Sequence, residues 1–158
     1  MINGVAVGAG MSMAMACDLR VAASSARFGT GFIKIGLSGD WGGTWTITQL
    51  VGTAKARDLF FLGDMVEAEE ALSIGLVNRV AQDEELLATT MAMARRIAAA
   101  PRIALGYAKR NLNAAETEPF ATVLDMEAFN QARCSQTEDH REAVQAFKEK
   151  RKPVFQGR

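Results

Sequence analysis

Apolar positions in the first half of the chain fall into short runs separated by glycines. Residues 2–7 form a run whose length suits a buried β-strand, and a Gly-Ala-Gly turn ends it. Residues 11–17 are apolar on nearly every side, which predicts a deeply buried helix. Residues 18–23 predict a second strand, with Leu19 and Val21 on one face.

Glycines punctuate the next part of the chain. Residues 24–43 are rich in Gly and Ser and are predicted to form a loop. Two helices follow, divided at Gly52 and ended by Gly63, because glycine readily takes up the conformation that closes a helix. A short helix over residues 68–74 then leads to a third strand over residues 76–80.

The second half of the chain has the period of helices only. Apolar residues recur at helical spacing over residues 84–100. Pro101 and Pro119 each precede a further helix, since proline is tolerated in the first helical turn. A last helix is predicted over residues 138–150. The pattern divides one α/β fold into a mixed part, residues 1–90, and an all-helical part, residues 91–158.

Composition and charge narrow the functional classes. The 158 residues include 18 basic and 18 acidic side chains, so no global charge favours nucleic acid or an anionic membrane. The apolar stretch over residues 5–16 is too short to cross a bilayer, and no basic region precedes it as in a signal peptide. A single histidine excludes a histidine-rich metal site. We expect a cytoplasmic protein without metal, nucleic-acid or membrane partners.

Several motifs in a fixed order carry a resemblance to a known family. They are residues 3–10 with 16–18, residues 26–29 with 35–44, residues 68–72 with 75–78, and residues 138–142 with 146–151. Together they cover nearly the whole chain and resemble the crotonase (enoyl-CoA hydratase/isomerase) superfamily.

That resemblance implies a partial crotonase-like (ClpP/crotonase) ββα-superhelix fold with a C-terminal all-helical subdomain. The family's usual chain carries further βα units in front. The resemblance therefore also implies a fragment, or the product of an internal start codon.

The family's chemistry stabilises a thioester enolate with backbone N–H groups that point at the thioester oxygen. A Gly-Ala-Gly turn lets a ligand approach the backbone closely. By resemblance, the oxyanion-hole donor here is the Ala9 N–H, with Gly10 beside it. From these residues alone, an ordinary strand-to-helix turn packed by small side chains remains open.

The two positions that hold glutamates in the family's hydratases are, by resemblance, Ser12 and Phe32 in this chain. Neither side chain can transfer a proton as a carboxylate does, and water addition needs both water activation and carbon protonation. The resemblance therefore favours an isomerase over a hydratase. Ser12, Phe32 and Trp41 are expected to line the acyl pocket, although a tryptophan such as Trp41 more often belongs to the core.

Asp40 lies where some isomerases of the superfamily, and a dehalogenase, place a catalytic aspartate. The resemblance implies that it carries a proton between carbons of an acyl chain. Apolar neighbours such as Leu37, Trp41 and Phe32 would raise its pKa by desolvation. The alternative is that Asp40 caps the helix that begins near Gly42, because aspartate suits helix N-termini.

Two residues near the C-terminus match family positions that contact coenzyme A, often across a subunit boundary. They are Phe147 and Lys150, and the alternative is the solvated basic end of a helix. The resemblance further implies an acyl-CoA substrate without an additional cofactor, and a homotrimer or a dimer of trimers. Other functions left open are a non-catalytic remnant, an enoyl-CoA hydratase and a thioesterase.

Overall fold

The computed structural model describes Met1–Arg158 as two compact units, Met1–Ala92 and Met93–Arg158. Strands and helices alternate in the first unit, whereas the second is all helix. The strands are β1 (Val5–Val7), β2 (Val21–Ala23), β3 (Arg27–Gly29), β4 (Val66–Glu67) and β5 (Arg79–Ala81). The helices are α1 (Ala9–Met15), α2 (Gly43–Leu62), α3 (Ala68–Ser73), α4 (Leu86–Ala98), α5 (Arg102–Ala115), α6 (Phe120–Ser135) and α7 (Glu138–Lys148).

Two small sheets organise the first unit. In one, β3 lies between β1, which is parallel to it, and β4, which is antiparallel. In the other, β2 and β5 run parallel. Phe28 of β3 and Met11 of α1 are fully buried, together with Ile47 of α2. The strand-turn-helix segment from β1 to α1 is thus held on the apolar core.

A buried arginine fixes the far end of α1. Arg20 is 4% exposed, and its guanidinium donates hydrogen bonds to the carbonyl oxygens of Leu76 (2.6 Å), Met15 (3.3 Å) and Cys17. Burial lowers the pKa of Arg20. The bonds to Met15 and Cys17 satisfy carbonyls that the end of α1 leaves without intrahelical partners, and the bond to Leu76 ties this end to the segment after α3.

Glycine controls the course of α2. The predicted division at Gly52 is confirmed, because α2 consists of two helical segments that meet at a kink where Gly52 has the non-helical angles φ 76° and ψ 166°. Gly63 ends the helix in the left-handed conformation, as the sequence indicates. The three long helices of the second unit also begin where the sequence predicts, directly after Pro101, Pro119 and Thr137.

Several local predictions are wrong. The region 24–43, predicted as a loop, contains β3 and a 3₁₀ turn, Phe32–Ile35. The third strand occupies Arg79–Ala81 rather than residues 76–80. Burial in the first unit was also overestimated, because β1 is an edge strand that buries only its central residue, and Leu19 and Met13 are exposed. No helix is both long and apolar enough to cross a membrane.

Candidate active site

In the turn between β1 and α1, hydrogen bonds hold Gly8 through both its N–H and its carbonyl group. The Gly8 N–H donates to the Gly29 carbonyl (3.0 Å), which extends the pairing of β1 with β3. The Gly8 carbonyl accepts bonds from the Ser12 N–H (3.0 Å) and the Ser12 hydroxyl (3.3 Å). Because a trans peptide is planar, its N–H points opposite to its carbonyl. The Ala9 N–H is therefore directed away from Ser12 and out of the helix.

Gly8 has backbone angles that a side chain would oppose, with φ 57° and ψ −126°. This conformation turns the chain sharply from the strand into the helix. The N–H groups of the first residues of α1, Ala9 and Gly10, have no carbonyl partner one turn earlier. Ala9 is half-buried and Gly10 is exposed, so a ligand can reach both.

Phe32 packs against the turn and not against solvent. Its side chain is buried, and a methyl group placed on Gly8 would lie 3.7 Å from two carbons of its ring. The same ring would lie 3.8 Å from a methyl group on Gly39, the residue before Asp40. Phe32 therefore fills the space between the turn and the loop that carries Asp40.

Ser12 lies on the other side of this arrangement. It is 1% exposed and meets Gly43, the first residue of α2, so closely that a methyl group on Gly43 would overlap the Ser12 hydroxyl oxygen. Ser12 and Phe32 are thus the two buried side chains that pack against the turn. Both are uncharged, so the groups packed against the turn supply no carboxylate.

Asp40 is exposed, and its carboxylate forms neither a hydrogen bond nor an ion pair within the chain. Its backbone carbonyl accepts from the Gly43 N–H (2.9 Å), which closes the turn before α2. The capping alternative is wrong in this structure, since the N-cap of α2 is Gly42 and no side chain bonds there. The expected enclosure by apolar neighbours is also wrong within this chain, because Leu37 and Trp41 are exposed as well.

Trp41 has a positive φ of 52° and is 67% exposed. Residues 1–158 therefore do not enclose it, either as core or as pocket wall. Its role in an acyl pocket stays a prediction.

The proposed coenzyme A contacts lie at the end of α7. Phe147 is 85% exposed and Lys150, also exposed, has a left-handed φ of 55°. The segment after α7 folds back on Glu142, which accepts from both terminal nitrogens of Arg151 (2.6 and 2.8 Å) and from the Val154 N–H (2.9 Å). These bonds lower the pKa of Glu142 to about 2. These bonds hold the segment that follows Lys150 on α7, and the side chains of Phe147 and Lys150 remain accessible.

The second unit also contains two open clefts along α5 and α6, with volumes of about 630 and 460 Å³. None of their lining residues is a predicted site residue. No cluster of three or more His, Cys, Asp or Glu side chains could hold a metal ion.

Sequence reasoning missed two residues that shape the site, Gly39 and Gly43. Gly43 leaves space for Ser12, whereas Gly39 has a positive φ of 116° and leaves space chiefly for Phe60, 3.2 Å from where a methyl group would lie. The Gly-Gly pair at the start of α2 was the available signal, but it equally indicates a simple helix start. Only the folded structure shows which neighbour requires the space.

Comparison with known proteins identifies the family of the chain. The family described as enoyl-CoA hydratase/isomerase matches residues 1–158. The 1,2-epoxyphenylacetyl-CoA isomerase of Escherichia coli K12 is 41% identical over 157 residues, which are 99% of this chain and 60% of that protein. The short-chain-enoyl-CoA hydratase of Clostridium acetobutylicum is 38% identical over 151 residues, 96% of this chain and 58% of that protein.

A solved structure gives the same result for the fold. The enoyl-CoA hydratase from Bacillus anthracis superposes with a TM-score of 0.95 at 34% identity, over 98% of this chain and 60% of that one. The fold is thus that of the crotonases, and the chain belongs to the enoyl-CoA hydratase/isomerase family. It spans about 60% of the length of these relatives.

Proposed function

We propose that the protein binds an acyl-CoA thioester and acts as an enoyl-CoA isomerase, with Asp40 as the proton carrier. The main observation behind this proposal is that Asp40 carries a charge, whereas Ser12 and Phe32, the residues packed against the turn, do not. Asp40 follows Gly39, where an added methyl group would lie 3.8 Å from the Phe32 ring. One available carboxylate suits a reaction that moves one proton.

The reaction needs no redox step and conserves atoms. The Asp40 carboxylate takes a proton from one carbon of the acyl chain, and the electron pair passes into the thioester carbonyl. The Ala9 N–H, with Gly10 beside it, stabilises the oxygen on which negative charge develops. The protonated Asp40 then returns the proton to a carbon two positions away as the enolate collapses, so that the double bond has moved.

The arrangement of the turn supports this assignment of donors. An oxyanion donor is useful only if its direction is set before the charge develops, because reorganisation would otherwise consume the gain. The carbonyl of the Gly8–Ala9 peptide is held by two bonds from Ser12, and the preceding Val7–Gly8 peptide is held by the bond of its N–H to Gly29.

Hydration is the second candidate, since several relatives are described as enoyl-CoA hydratases. Water addition requires a group that activates water and a group that protonates carbon. The residues that pack on the turn offer neither as a carboxylate. A thioesterase and a non-catalytic role for a chain of this length are further alternatives.

We further propose that Phe147 and Lys150 contact coenzyme A, since Lys150 can meet a phosphate as a flexible point charge. Ser12, Phe32 and Trp41 would border the acyl group. A homotrimer or a dimer of trimers, located in the cytoplasm, completes the proposal. The coenzyme A thioester is the substrate, and no separate cofactor is required.

Two substrates assayed side by side test the proposal. A 3-enoyl-CoA and crotonyl-CoA would be incubated with the purified protein, and double-bond migration and hydration followed by chromatography. We expect migration to exceed hydration. Faster hydration would favour the second candidate, and neither turnover nor acyl-CoA binding would favour a non-catalytic protein.

A further inference from the structure

Lys150 follows the end of α7 in a backbone conformation that lysine disfavours. Its φ of 55° is left-handed, and the only other non-glycine residue with a positive φ is Trp41. A side chain crowds the backbone in this region, so helices usually place glycine, or sometimes asparagine, at such a position. Because residues held in strained conformations cluster at functional sites, the presence of lysine here calls for a role of its side chain.

The backbone around Lys150 has the hydrogen bonds of a Schellman motif. The Lys150 N–H donates to the Phe147 carbonyl (3.2 Å), and the Arg151 N–H donates to the Ala146 carbonyl (3.0 Å). In this motif the residue before the closing donor is left-handed. Ala146 is fully buried, so the closing bond ends on a fixed part of α7. Lys150 therefore keeps its conformation for as long as Arg151 stays in place.

Glu142 holds Arg151 in place. Its two carboxylate oxygens each accept a bond from one terminal nitrogen of Arg151 (2.6 and 2.8 Å), the bidentate arrangement that orients both groups. The same carboxylate accepts from the Val154 N–H (2.9 Å), and Glu149 accepts from Arg151 Nε (2.6 Å). All three guanidinium nitrogens are thus bonded within the chain, so Arg151 acts on the structure and not on a ligand.

Lys150 lies between two paired residues and is itself unpaired. Its neighbours Glu149 and Arg151 bond to each other, whereas Lys150 is exposed and pairs with no carboxylate of the chain. The backbone angles of a residue set the direction in which its Cα–Cβ bond leaves the chain. A fixed conformation of Lys150 therefore fixes where its side chain starts, which lowers the entropy that the side chain loses when it binds a ligand.

We propose that Glu142 is a positioning residue: through Arg151 it keeps Lys150 left-handed and so directs the lysine ammonium group at an anionic part of the substrate. The inference rests on the proposed function in one respect, namely that Lys150 contacts coenzyme A. It goes beyond that contact, because it assigns a role in binding to a residue that does not itself touch the ligand. Without the Glu142–Arg151 pair, Lys150 relaxes to a conformation with negative φ, and its side chain starts in another direction.

Two thioesters separate positioning from stability. Butyryl-CoA carries phosphates, butyryl-pantetheine has the same thioester without them, and both are saturated, so that no isomerisation disturbs the measurement. Their dissociation constants would be measured by calorimetry. We expect Glu142→Gln to weaken butyryl-CoA binding about threefold, the cost of ordering one long side chain, and to leave butyryl-pantetheine binding unchanged. Glu138→Gln, which removes another carboxylate of α7 paired with an arginine of the C-terminal segment, is the matched control and should change neither.

Substitution of Lys150 shows whether its conformation serves the side chain. Lys150→Gly is expected to raise the unfolding midpoint, because glycine adopts a positive φ without strain. The same variant should weaken butyryl-CoA binding about tenfold, since it loses one charge-assisted interaction. Lys150→Arg keeps the charge and should retain most of the affinity. A gain in stability together with a loss of affinity is the result that a purely structural residue would not give.

Amide hydrogen exchange reports on the Glu142–Arg151 pair without any ligand. In Glu142→Gln the Arg151 N–H, which closes the motif, should exchange faster than in the wild type. Unchanged exchange overturns the positioning role, and so does unchanged butyryl-CoA affinity in Glu142→Gln when Lys150→Gly binds more weakly; the coenzyme A contact then stands. Unchanged affinity in Lys150→Gly, or no binding by the wild type, overturns that contact, and the positioning role falls with it. If Glu142→Gln does not fold, Arg151→Lys, which cannot form two parallel bonds, is judged by the same outcomes.

Discussion

Ser12 occupies the space that a side chain on Gly43 would need. A methyl group on Gly43 would overlap the Ser12 hydroxyl oxygen and lie 3.0 Å from its Cβ. Gly43 does not have a positive φ, so space rather than backbone conformation requires glycine there. Gly43 begins α2 three residues after Asp40, so this contact connects that region to Ser12, which donates a hydrogen bond to the carbonyl of the Gly8–Ala9 peptide.

Replacement of Gly43 by alanine should therefore destabilise the protein. Because Ser12 is buried and cannot move into solvent, we expect the free energy of unfolding to fall by about 1–3 kcal/mol, as for other overpacked cores. Denaturant unfolding measures this. Gly106→Ala is the control, since nothing lies near that helical position and alanine should be neutral or slightly stabilising. Equal stability of the two variants would show that the contact is not tight.

Ser12→Ala tests the positioning of the Ala9 N–H. The Gly8 carbonyl would keep the bond from the backbone of residue 12 and lose the one from the hydroxyl. We expect kcat for isomerisation to fall about tenfold at nearly constant KM, because a less rigid donor acts mainly on the transition state. A fall in stability alone, with kcat preserved, would leave Ser12 with a packing role only.

Sequence patterns predicted the elements more reliably than their burial. Pro101, Pro119 and Gly63 determine helix boundaries through their own backbone chemistry, so those boundaries could be predicted. The exposure of Met13 and Leu19 depends on which neighbours cover them, which local periodicity does not encode. The same holds for Asp40, whose apolar sequence neighbours are exposed in the fold rather than packed around its carboxylate.

Arg20 should be important for stability rather than for chemistry. Its removal leaves the carbonyls of Leu76, Met15 and Cys17 without these donors, and the bonds to Leu76 and Met15 are buried. We expect Arg20→Ala to lower the free energy of unfolding by about 3 kcal/mol, the cost of unsatisfied buried polar groups. Thermal unfolding of this variant is compared with that of Arg79→Ala, which removes an exposed arginine of β5. Comparable unfolding midpoints for the two variants would contradict it.

The segment after α7 should respond to acid through Glu142. Hydrogen bonds from Arg151 and then from Val154 lower the pKa of Glu142 from 4.5 to about 2. A carboxylate with a lowered pKa in the folded state stabilises it fully above pH 4.5, and this contribution is lost as the pH falls towards 2.

Carboxyl NMR of Glu142 measures this titration directly. We expect its midpoint to lie well below 4.5 in the wild type and to move upward in Arg151→Gln, which removes the principal donor. Glu138, whose partner is Arg158, provides an internal comparison because Arg151→Gln leaves that pair intact. A Glu142 midpoint that does not change in the variant would contradict the assignment.

Asp40→Asn is the most direct test of the proposed mechanism. Asp40 is exposed and bonds to no side chain, so the variant should fold with wild-type stability while losing its proton carrier. We predict that isomerisation of a 3-enoyl-CoA falls at least about a hundredfold, the usual contribution of a general base, with acyl-CoA binding retained. Asp64→Asn, another exposed carboxylate of the first unit, should keep full activity. Wild-type isomerisation by Asp40→Asn would contradict the account.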